Sequence, residues 1–146
     1  MLRPWNKEEL VDAFRTDELG RYFGPAIDAQ PPVEDPEVPM LAIVARDSHS
    51  VVGRVWCRPG ARPPEIGYFL REDAWGHGYA TRALLLTTDW LLHAGGYAEV
   101  VLCTHPENER SQKVAVRCGF VADGLIDEYA LFKDGTRKAL RFIRRP

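Results

Sequence analysis

The feature that most constrains this chain is a pair of glycines, Gly76 and Gly78, between a predicted strand and a predicted helix. The strand is the β-rich run Glu65 to Arg71, and the helix runs from Tyr79 to His93. Its buried face is predicted from residues at helical spacing, which are Ala80, Leu84, Thr87 and Leu91. Glycines in such a turn let the backbone bend sharply and bring several amide N–H groups to an anion at the helix N-terminus. The segment therefore predicts a pyrophosphate-binding loop.

Two common phosphate-binding loops fit this segment less well. Arg82 stands where a dinucleotide-binding fingerprint has its third small residue, and the chain contains no GxxxxGK[ST] motif. A glycine pair by itself is also typical of a turn that binds nothing.

Length and composition favour one soluble globular domain, which we expect to span residues 1–146. Hydrophobic residues make up 45% and charged residues 27% of the chain. The net charge of −2 gives no general attraction to nucleic acid or to an anionic membrane, and the basic residues from Arg137 to Arg145 are interpreted as a solvated chain end. With no long apolar segment and no signal peptide, we expect a cytoplasmic protein without nucleic-acid or membrane partners. A homodimer is left open.

The cysteines indicate neither a disulfide framework nor a metal site. Cys57, Cys103 and Cys118 are odd in number, widely spaced, and outside any CxxC or Cys/His ligand pattern. We expect reduced, mostly buried thiols and no bound metal.

The other predicted elements make an α+β chain. Before the loop we predict two short helices (Asn6 to Thr16 and Thr16 to Tyr22), a loop (Pro25 to Pro39), a β-hairpin (Met40 to Asp47 with Val51 to Arg58) and a proline-rich turn (Pro59 to Pro64). After it we predict a strand (Glu99 to Thr104), a helix from Asn108 or Glu109 to Cys118, and a hairpin from Leu125 to Ile143 that turns at Asp134-Gly135.

Four segments in order resemble the GNAT superfamily of N-acetyltransferases, most closely the branch that acetylates the N-termini of ribosomal proteins. They are Glu65 to Leu70, Ala74 to Thr81, Pro106-Glu107-Asn108 with Ser111, and Cys118-Gly119-Phe120. Leu2 to Trp5 is similar to the first strand of that family. The resemblance implies a GNAT fold, which is a mixed, mostly antiparallel sheet flanked by helices. Its two central parallel strands, Glu65 to Arg71 and Glu99 to Thr104, should splay apart and admit acetyl-CoA.

The same resemblance implies which residues bind acetyl-CoA, the expected cosubstrate. The main chain of Phe69 and Leu70 should pair with the pantetheine arm, and Asn108 and Ser111 should lie beside it. Asn108 equally suits a helix cap. The expected pyrophosphate site consists of Trp75, Gly76, His77, Gly78, Tyr79, Ala80 and Thr81. Trp75 stands where the family usually has Arg or Gln, so binding should depend more on backbone amides.

The resemblance also implies the reaction, which is direct transfer of an acetyl group to a primary amine. That amine is either a protein N-terminus or a small-molecule amine. Glu65 is the candidate general base, although a solvated strand end would explain it nearly as well. Ser111 is the candidate partner of the CoA sulfur, because Ala115 stands where other members carry a tyrosine acid. His105 and water remain alternative bases.

Several residues have weaker assignments. Tyr129 is the favoured acceptor-side aromatic, with Tyr68 as a second candidate, whereas Trp56 and Trp90 are predicted to pack in the core. His49, His77 and His93 are predicted to be non-catalytic. The alternative function is a catalytically weak module that binds an acyl-CoA and serves a regulatory or partner-binding role, because the tyrosine acid is absent.

Overall fold

The structure, a computed structural model, describes residues 1–4, 40–58 and 61–146. The predictions for Trp5, the two N-terminal helices, the loop that follows them and the start of the Pro59 to Pro64 turn lie outside these residues. Within these three segments, no helix is long and apolar enough to cross a bilayer. The cytoplasmic location stays a prediction.

The first sheet contains four strands in chain order, and each strand is antiparallel to its neighbours. They are β1 (Leu2–Pro4), β2 (Met40–Val44), β3 (Val51–Cys57) and β4 (Ile66–Leu70). The predicted β2–β3 hairpin is confirmed, and its turn places His49 at a φ of 54°. On the inner face of this sheet, the side chains of Val55 and Ile66 are almost completely buried.

The second sheet has the order β5–β7–β6, with all neighbours antiparallel. Its strands are β5 (Val100–Thr104), β6 (Val121–Ile126) and β7 (Ala139–Arg144). The prediction that the last hairpin begins at Leu125 is wrong, because β6 begins at Val121 and continues through a register shift between Ala122 and Leu125. Gly124 lies inside that bulge with a φ of 95°, so Asp123-Gly124 bends the strand instead of breaking it. The predicted turn at Gly135 is present, with a φ of 87°.

Within the described segments, two α-helices pack on the sheets. Helix α1 (Tyr79–Asp89) continues as a π-helical stretch, Trp90–Ala94, and α2 spans Glu109–Arg117. The predicted inner face of α1 is confirmed, since its members Ala80, Leu84, Thr87 and Leu91 are all buried. Trp90, in contrast, is 49% exposed, and its prediction as a core residue is wrong. Successive helical residues are about 100° apart, so Trp90 lies to one side of the stripe that contains Leu91.

The two sheets meet where β4 and β5 start. Glu65 and Val101 form a single parallel bridge, and Val101 N donates to Pro64 O at 2.9 Å. Along the remaining length of β4 and β5 no further ladder pair joins these two described strands. The predicted splay of the central parallel strands is confirmed, and the gap opens towards the C-terminal ends of β4 and β5.

Candidate active site

The loop between β4 and α1 has the backbone that its glycines predict. After a short 3-10 turn, Glu72–Ala74, the chain passes through Gly76 at φ 77° and Gly78 at φ 73°. Both values lie in the left-handed region, where a side chain is strained. A Cβ on Gly76 would meet no atom within 4 Å, and one on Gly78 would meet only Arg82, at 3.9 Å. The space in front of both glycines is therefore open to a ligand.

The start of α1 supplies unpaired donors at this open face. Gly78 caps the helix, and Arg82 N donates to Gly78 O at 3.1 Å. The amides of the preceding first-turn residues, Tyr79, Ala80 and Thr81, have no acceptor within the helix. These donors and the positive end of the helix dipole form a cradle of the kind that binds phosphate.

A cavity of about 500 Å³ lies between this loop and α2. Its loop side is formed by Gly76, Gly78 and Thr81, and its helix side includes three cations, which are Arg110, Lys113 and Arg117. The sequence interpretation missed these cations. Their spacing of three and four residues places them along one side of α2, and this pattern was the available signal.

Trp75 forms a wall of the cavity and offers it no free donor. Its indole Nε1 donates to Leu70 O at 3.1 Å, and its backbone N donates to Glu72 O at 3.2 Å. The guanidinium carbon of Arg110 lies 3.1 Å from the centroid of the indole ring. The expectation that Trp75 helps to hold phosphate is therefore revised: it positions the end of β4 and the Arg110 side chain.

The pairing of β4 decides which peptide groups face the gap. Arg58 N donates to Glu65 O at 2.7 Å, and Arg71 N donates to Val52 O at 2.8 Å. Because hydrogen bonding alternates along an antiparallel pair, the peptide groups of Phe69 also face β3. Those of Tyr68 and Leu70 face the gap instead. The expected main-chain contact with the pantetheine arm is therefore revised for Phe69, whose side chain is buried. The same expectation suits Leu70.

Ser111 is held across the gap from β4. Asn108 Oδ1 accepts from Ser111 N at 3.2 Å, so Asn108 caps α2. The hydroxyl of Tyr68 donates to Ser111 Oγ at 3.1 Å. Ser111 can therefore direct its own O–H to another acceptor. This link to Tyr68 was not foreseen from the sequence.

Glu65 lies in a partly buried hydrogen-bonded cluster. Its side chain is 15% exposed, accepts from the Tyr129 hydroxyl, and lies 3.5 Å from Arg58. Burial first, and then the charge of Glu65, raise the pKa of Tyr129 well above its usual value, so the phenol remains a donor. Glu65 is therefore not the solvated strand end that the sequence also allowed.

A second cavity, of about 360 Å³, opens beside Glu65. Cys103 and the cations Arg58, Arg62 and Arg141 also line it. Side chains alternate along a strand, so Glu65 lies on the opposite face of the strand from Leu70, which lines the first cavity. The two cavities therefore approach the gap between β4 and β5 from opposite sides of the sheet.

His105 is engaged in anchoring the last hairpin. Its Nε2 lies 2.8 Å from Asp134 Oδ2, and its Nδ1 accepts from Glu107 N at 3.0 Å. The Thr136 backbone N–H and, secondly, His105 hold the pKa of the Asp134 carboxyl below its usual value. Glu107 and Asp134 bring carboxylates close to this ring, but both ring nitrogens already have partners. These bonds remove His105 as the alternative base.

The three cysteines are free thiols. Burial raises the pKa of Cys57 to about 12 and that of Cys118 to about 11. Burial and then Glu65 raise the pKa of Cys103 to about 12. A thiolate nucleophile is disfavoured at all three positions.

Known proteins resemble this chain in sequence and in structure. The uncharacterized N-acetyltransferase YoaA of Bacillus subtilis strain 168 is 22% identical over 147 residues, which cover 88% of this chain and 81% of YoaA. The crystal structure of ribosomal-protein-S5-alanine acetyltransferase from Vibrio fischeri aligns with a TM-score of 0.79 at 18% identity, over 99% of this chain and 91% of that one.

A second solved structure is a spermidine N-acetyltransferase from Vibrio cholerae, the SpeG F149A mutant. It aligns with a TM-score of 0.79 at 14% identity, over 99% of this chain and 94% of its own. Residues 1–121 match the acetyltransferase (GNAT) domain family, and the chain therefore belongs to the GNAT acetyltransferases.

Proposed function

We propose that this chain, as a single domain, transfers the acetyl group of acetyl-CoA directly to a primary amine. The observation that carries the proposal is the splayed β4–β5 gap, with the amide cradle at one side and Glu65 at the other. A nucleotide-linked thioester fits this geometry because its phosphates need donors at the cradle and its extended arm needs free peptide groups along β4.

The cradle is assigned to the pyrophosphate. Its donors are the backbone amides of Gly76, His77, Gly78, Tyr79, Ala80 and Thr81, with the Thr81 hydroxyl as a further candidate. The peptide groups of Tyr68 are assigned to the pantetheine arm. Leu70 O already accepts from the Trp75 indole, so Leu70 contributes its N–H to the acetyl end of the same arm. Asn108 contributes indirectly, because it caps α2 and so holds Ser111 in place.

Glu65 is assigned as the general base. It takes a proton from the acceptor ammonium, directly or through water, while the Tyr129 hydroxyl orients its carboxylate. The amine nitrogen then forms a bond to the acetyl carbon, and the carbon–sulfur bond breaks. The Leu70 N–H is suited to the carbonyl oxygen. Ser111 donates its proton to the leaving sulfur and regains one from the acylated nitrogen, directly or through water, so that the nitrogen becomes a neutral amide and Glu65 keeps the first proton. The raised pKa values of the cysteine thiols favour this direct route over an acyl-cysteine.

The charges around the 360 Å³ cavity favour a particular acceptor. Arg141 is paired with Asp123 and Arg58 with Glu65, whereas Arg62 has no ion-pair partner among the residues of the described segments. A polyamine would bring several positive charges to these arginines, while an α-amine brings one. We therefore propose a protein or peptide N-terminus, consistent with the acceptor named for the Vibrio fischeri relative.

A panel of acceptors tests this proposal. Acetyl transfer should be measured with N-terminal peptides, spermidine and free amino acids at equal concentration. We expect the best peptide to exceed spermidine by about tenfold or more in kcat/KM. Preference for spermidine would contradict the acceptor assignment, and tight binding of acetyl-CoA without transfer to any amine would favour the non-catalytic binding module.

Ser111→Ala should separate binding from chemistry. The hydroxyl is assigned to the sulfur and not to the phosphates, so we expect kcat to fall by roughly tenfold or more while the Kd for acetyl-CoA stays within about twofold. Steady-state kinetics and calorimetry give the two quantities. Ser48→Ala is the matched control, because that hydroxyl contacts Ser50 in an exposed turn. An unchanged kcat in Ser111→Ala would remove Ser111 from the reaction.

A further inference from the structure

The cavity beside Glu65 is lined by more cations than anions. Its lining includes Arg58, Arg62 and Arg141, and Glu65 is the one acidic residue among the described residues that line it. Asp123, the ion-pair partner of Arg141, lies outside the lining. The candidate base is therefore surrounded by a surplus of positive charge.

The protein compensates these guanidinium groups unequally. Arg58 lies 3.5 Å from Glu65 and is 54% exposed, so solvent weakens this pair. Arg62 is exposed, and none of the acidic residues in the described segments forms an ion pair with it. Burial and then Glu65 raise the pKa of Cys103, which also lines the cavity. Arg141 and then Arg58 lower that pKa, so the charges of both arginines act at the cavity wall.

The proposed reaction leaves Arg58 without its counter-ion. When Glu65 takes the proton of the acceptor ammonium, its carboxylate becomes neutral. Three guanidinium groups then line the cavity, and no ionised carboxylate remains among the described lining residues. A carboxylate on the acceptor would stabilise this state, whereas a second ammonium on the acceptor would be repelled.

The size of the cavity limits which part of an acceptor reaches the arginines. Its volume of about 360 Å³ lies at the lower end of the roughly 300–1,000 Å³ that is typical of ligand pockets. It therefore admits the first residues of a peptide, around the reacting α-amine. Guanidinium groups bind carboxylates through paired N–H donors, so an acidic side chain next to the N-terminus suits this lining.

We propose that Arg58, Arg62 and Arg141 form a carboxylate subsite, which selects peptide N-termini with an acidic second residue. This inference rests on the proposed function, in which Glu65 takes the proton of a peptide α-amine. Arg62 determines the specificity, because Arg58 and Arg141 have carboxylate partners in the protein itself. The subsite thus adds a sequence preference to the preference for an α-amine.

The test measures acetyl transfer to three peptides that begin with Ala-Asp, Ala-Asn or Ala-Lys and are otherwise identical, each with an amidated C-terminus. We expect kcat/KM of the wild-type protein to be about tenfold or more higher for Ala-Asp than for Ala-Asn, and lowest for Ala-Lys. In Arg62→Gln the Ala-Asp to Ala-Asn ratio should fall below about threefold. In Arg62→Glu the Ala-Lys peptide should become a better acceptor than Ala-Asp. Because each ratio is taken within one protein, a general loss of activity does not change it.

Arg145→Gln is the matched control. It removes an exposed arginine that pairs with Glu99 and lies outside the cavity lining, and it should keep the wild-type ratios. Free alanine and alaninamide test the other source of a carboxylate. If alanine is a better acceptor than alaninamide and than every peptide, the carboxylate belongs to a free amino acid, and the acidic-peptide assignment is overturned.

The remaining outcomes separate this inference from the proposed function. Equal kcat/KM for the three peptides in the wild-type protein would overturn the carboxylate subsite and leave acetyl transfer to peptides intact. A wild-type preference that persists in Arg62→Gln and Arg62→Glu would overturn the role of Arg62 in the same way. If no amine accepts the acetyl group, the proposed function is overturned, and the inference with it.

Discussion

Glu65→Gln is expected to lower kcat/KM by about a hundredfold or more, within the range that general bases contribute. The amide can still accept the hydrogen bond from Tyr129 and is nearly the same size as the carboxylate. Because it cannot take a proton from the acceptor ammonium, only the neutral amine would react. Binding of acetyl-CoA should change little, because Glu65 lines the cavity on the other side of the sheet from the cradle.

The pH dependence of this variant identifies the role of Glu65. An α-amine titrates at about 7.7 to 8.0, so the neutral fraction rises with pH and the defect should shrink above that range. Glu99→Gln is the matched control, because it removes the same charge from an exposed pair with Arg145 and should leave kcat/KM unchanged. A defect in Glu65→Gln that is constant from low to high pH would contradict a proton-accepting role.

The local features of this site were predictable from the sequence. The glycine spacing and the 3.6-residue period of α1 are properties of consecutive residues, and both the loop and the buried face of the helix were found where expected. The splay of β4 from β5 was different. That prediction came from the resemblance to a family, because the residue pattern of a strand does not indicate along which edge it stays unpaired.

Register explains the revision at Phe69. A strand sequence does not reveal which of its peptide groups pair with the preceding strand, since that depends on the partner's alignment. Once Arg58 pairs with Glu65, the alternation turns Phe69 to β3 and leaves Tyr68 and Leu70 at the gap.

Contacts between distant residues were the other unpredictable part. Tyr129 reaches Glu65 from 64 residues away, and Tyr68 reaches Ser111 from 43. Through these contacts, the candidates Glu65 and Ser111 each belong to a hydrogen-bonded group. His105 shows the reverse. Its imidazole ring suits proton transfer, but Nε2 is hydrogen-bonded to Asp134, 29 residues later.

Gly78→Glu is expected to raise the Kd for acetyl-CoA at least about tenfold, or roughly 1.4 kcal/mol. The side chain would project from a residue whose Cβ direction is open except for Arg82, into the volume assigned to phosphate oxygens, and its carboxylate would repel them. The left-handed φ of 73° adds backbone strain of about 1 to 3 kcal/mol, which lowers the stability of the free protein. Calorimetry gives the Kd, and thermal unfolding with and without CoA gives the stability.

Gly96→Glu separates phosphate repulsion from backbone strain. Gly96 follows the other end of the α1 region at φ 69°, and its Cβ would also meet nothing within 4 Å. Both variants should lose comparable stability without ligand. Added CoA should then stabilise Gly96→Glu as it does the wild type, because ligand that binds only the folded state raises its stability, whereas Gly78→Glu should gain almost nothing. If Gly78→Glu keeps wild-type affinity for CoA, the loop is not the phosphate cradle, and the binding assignments that depend on it are lost.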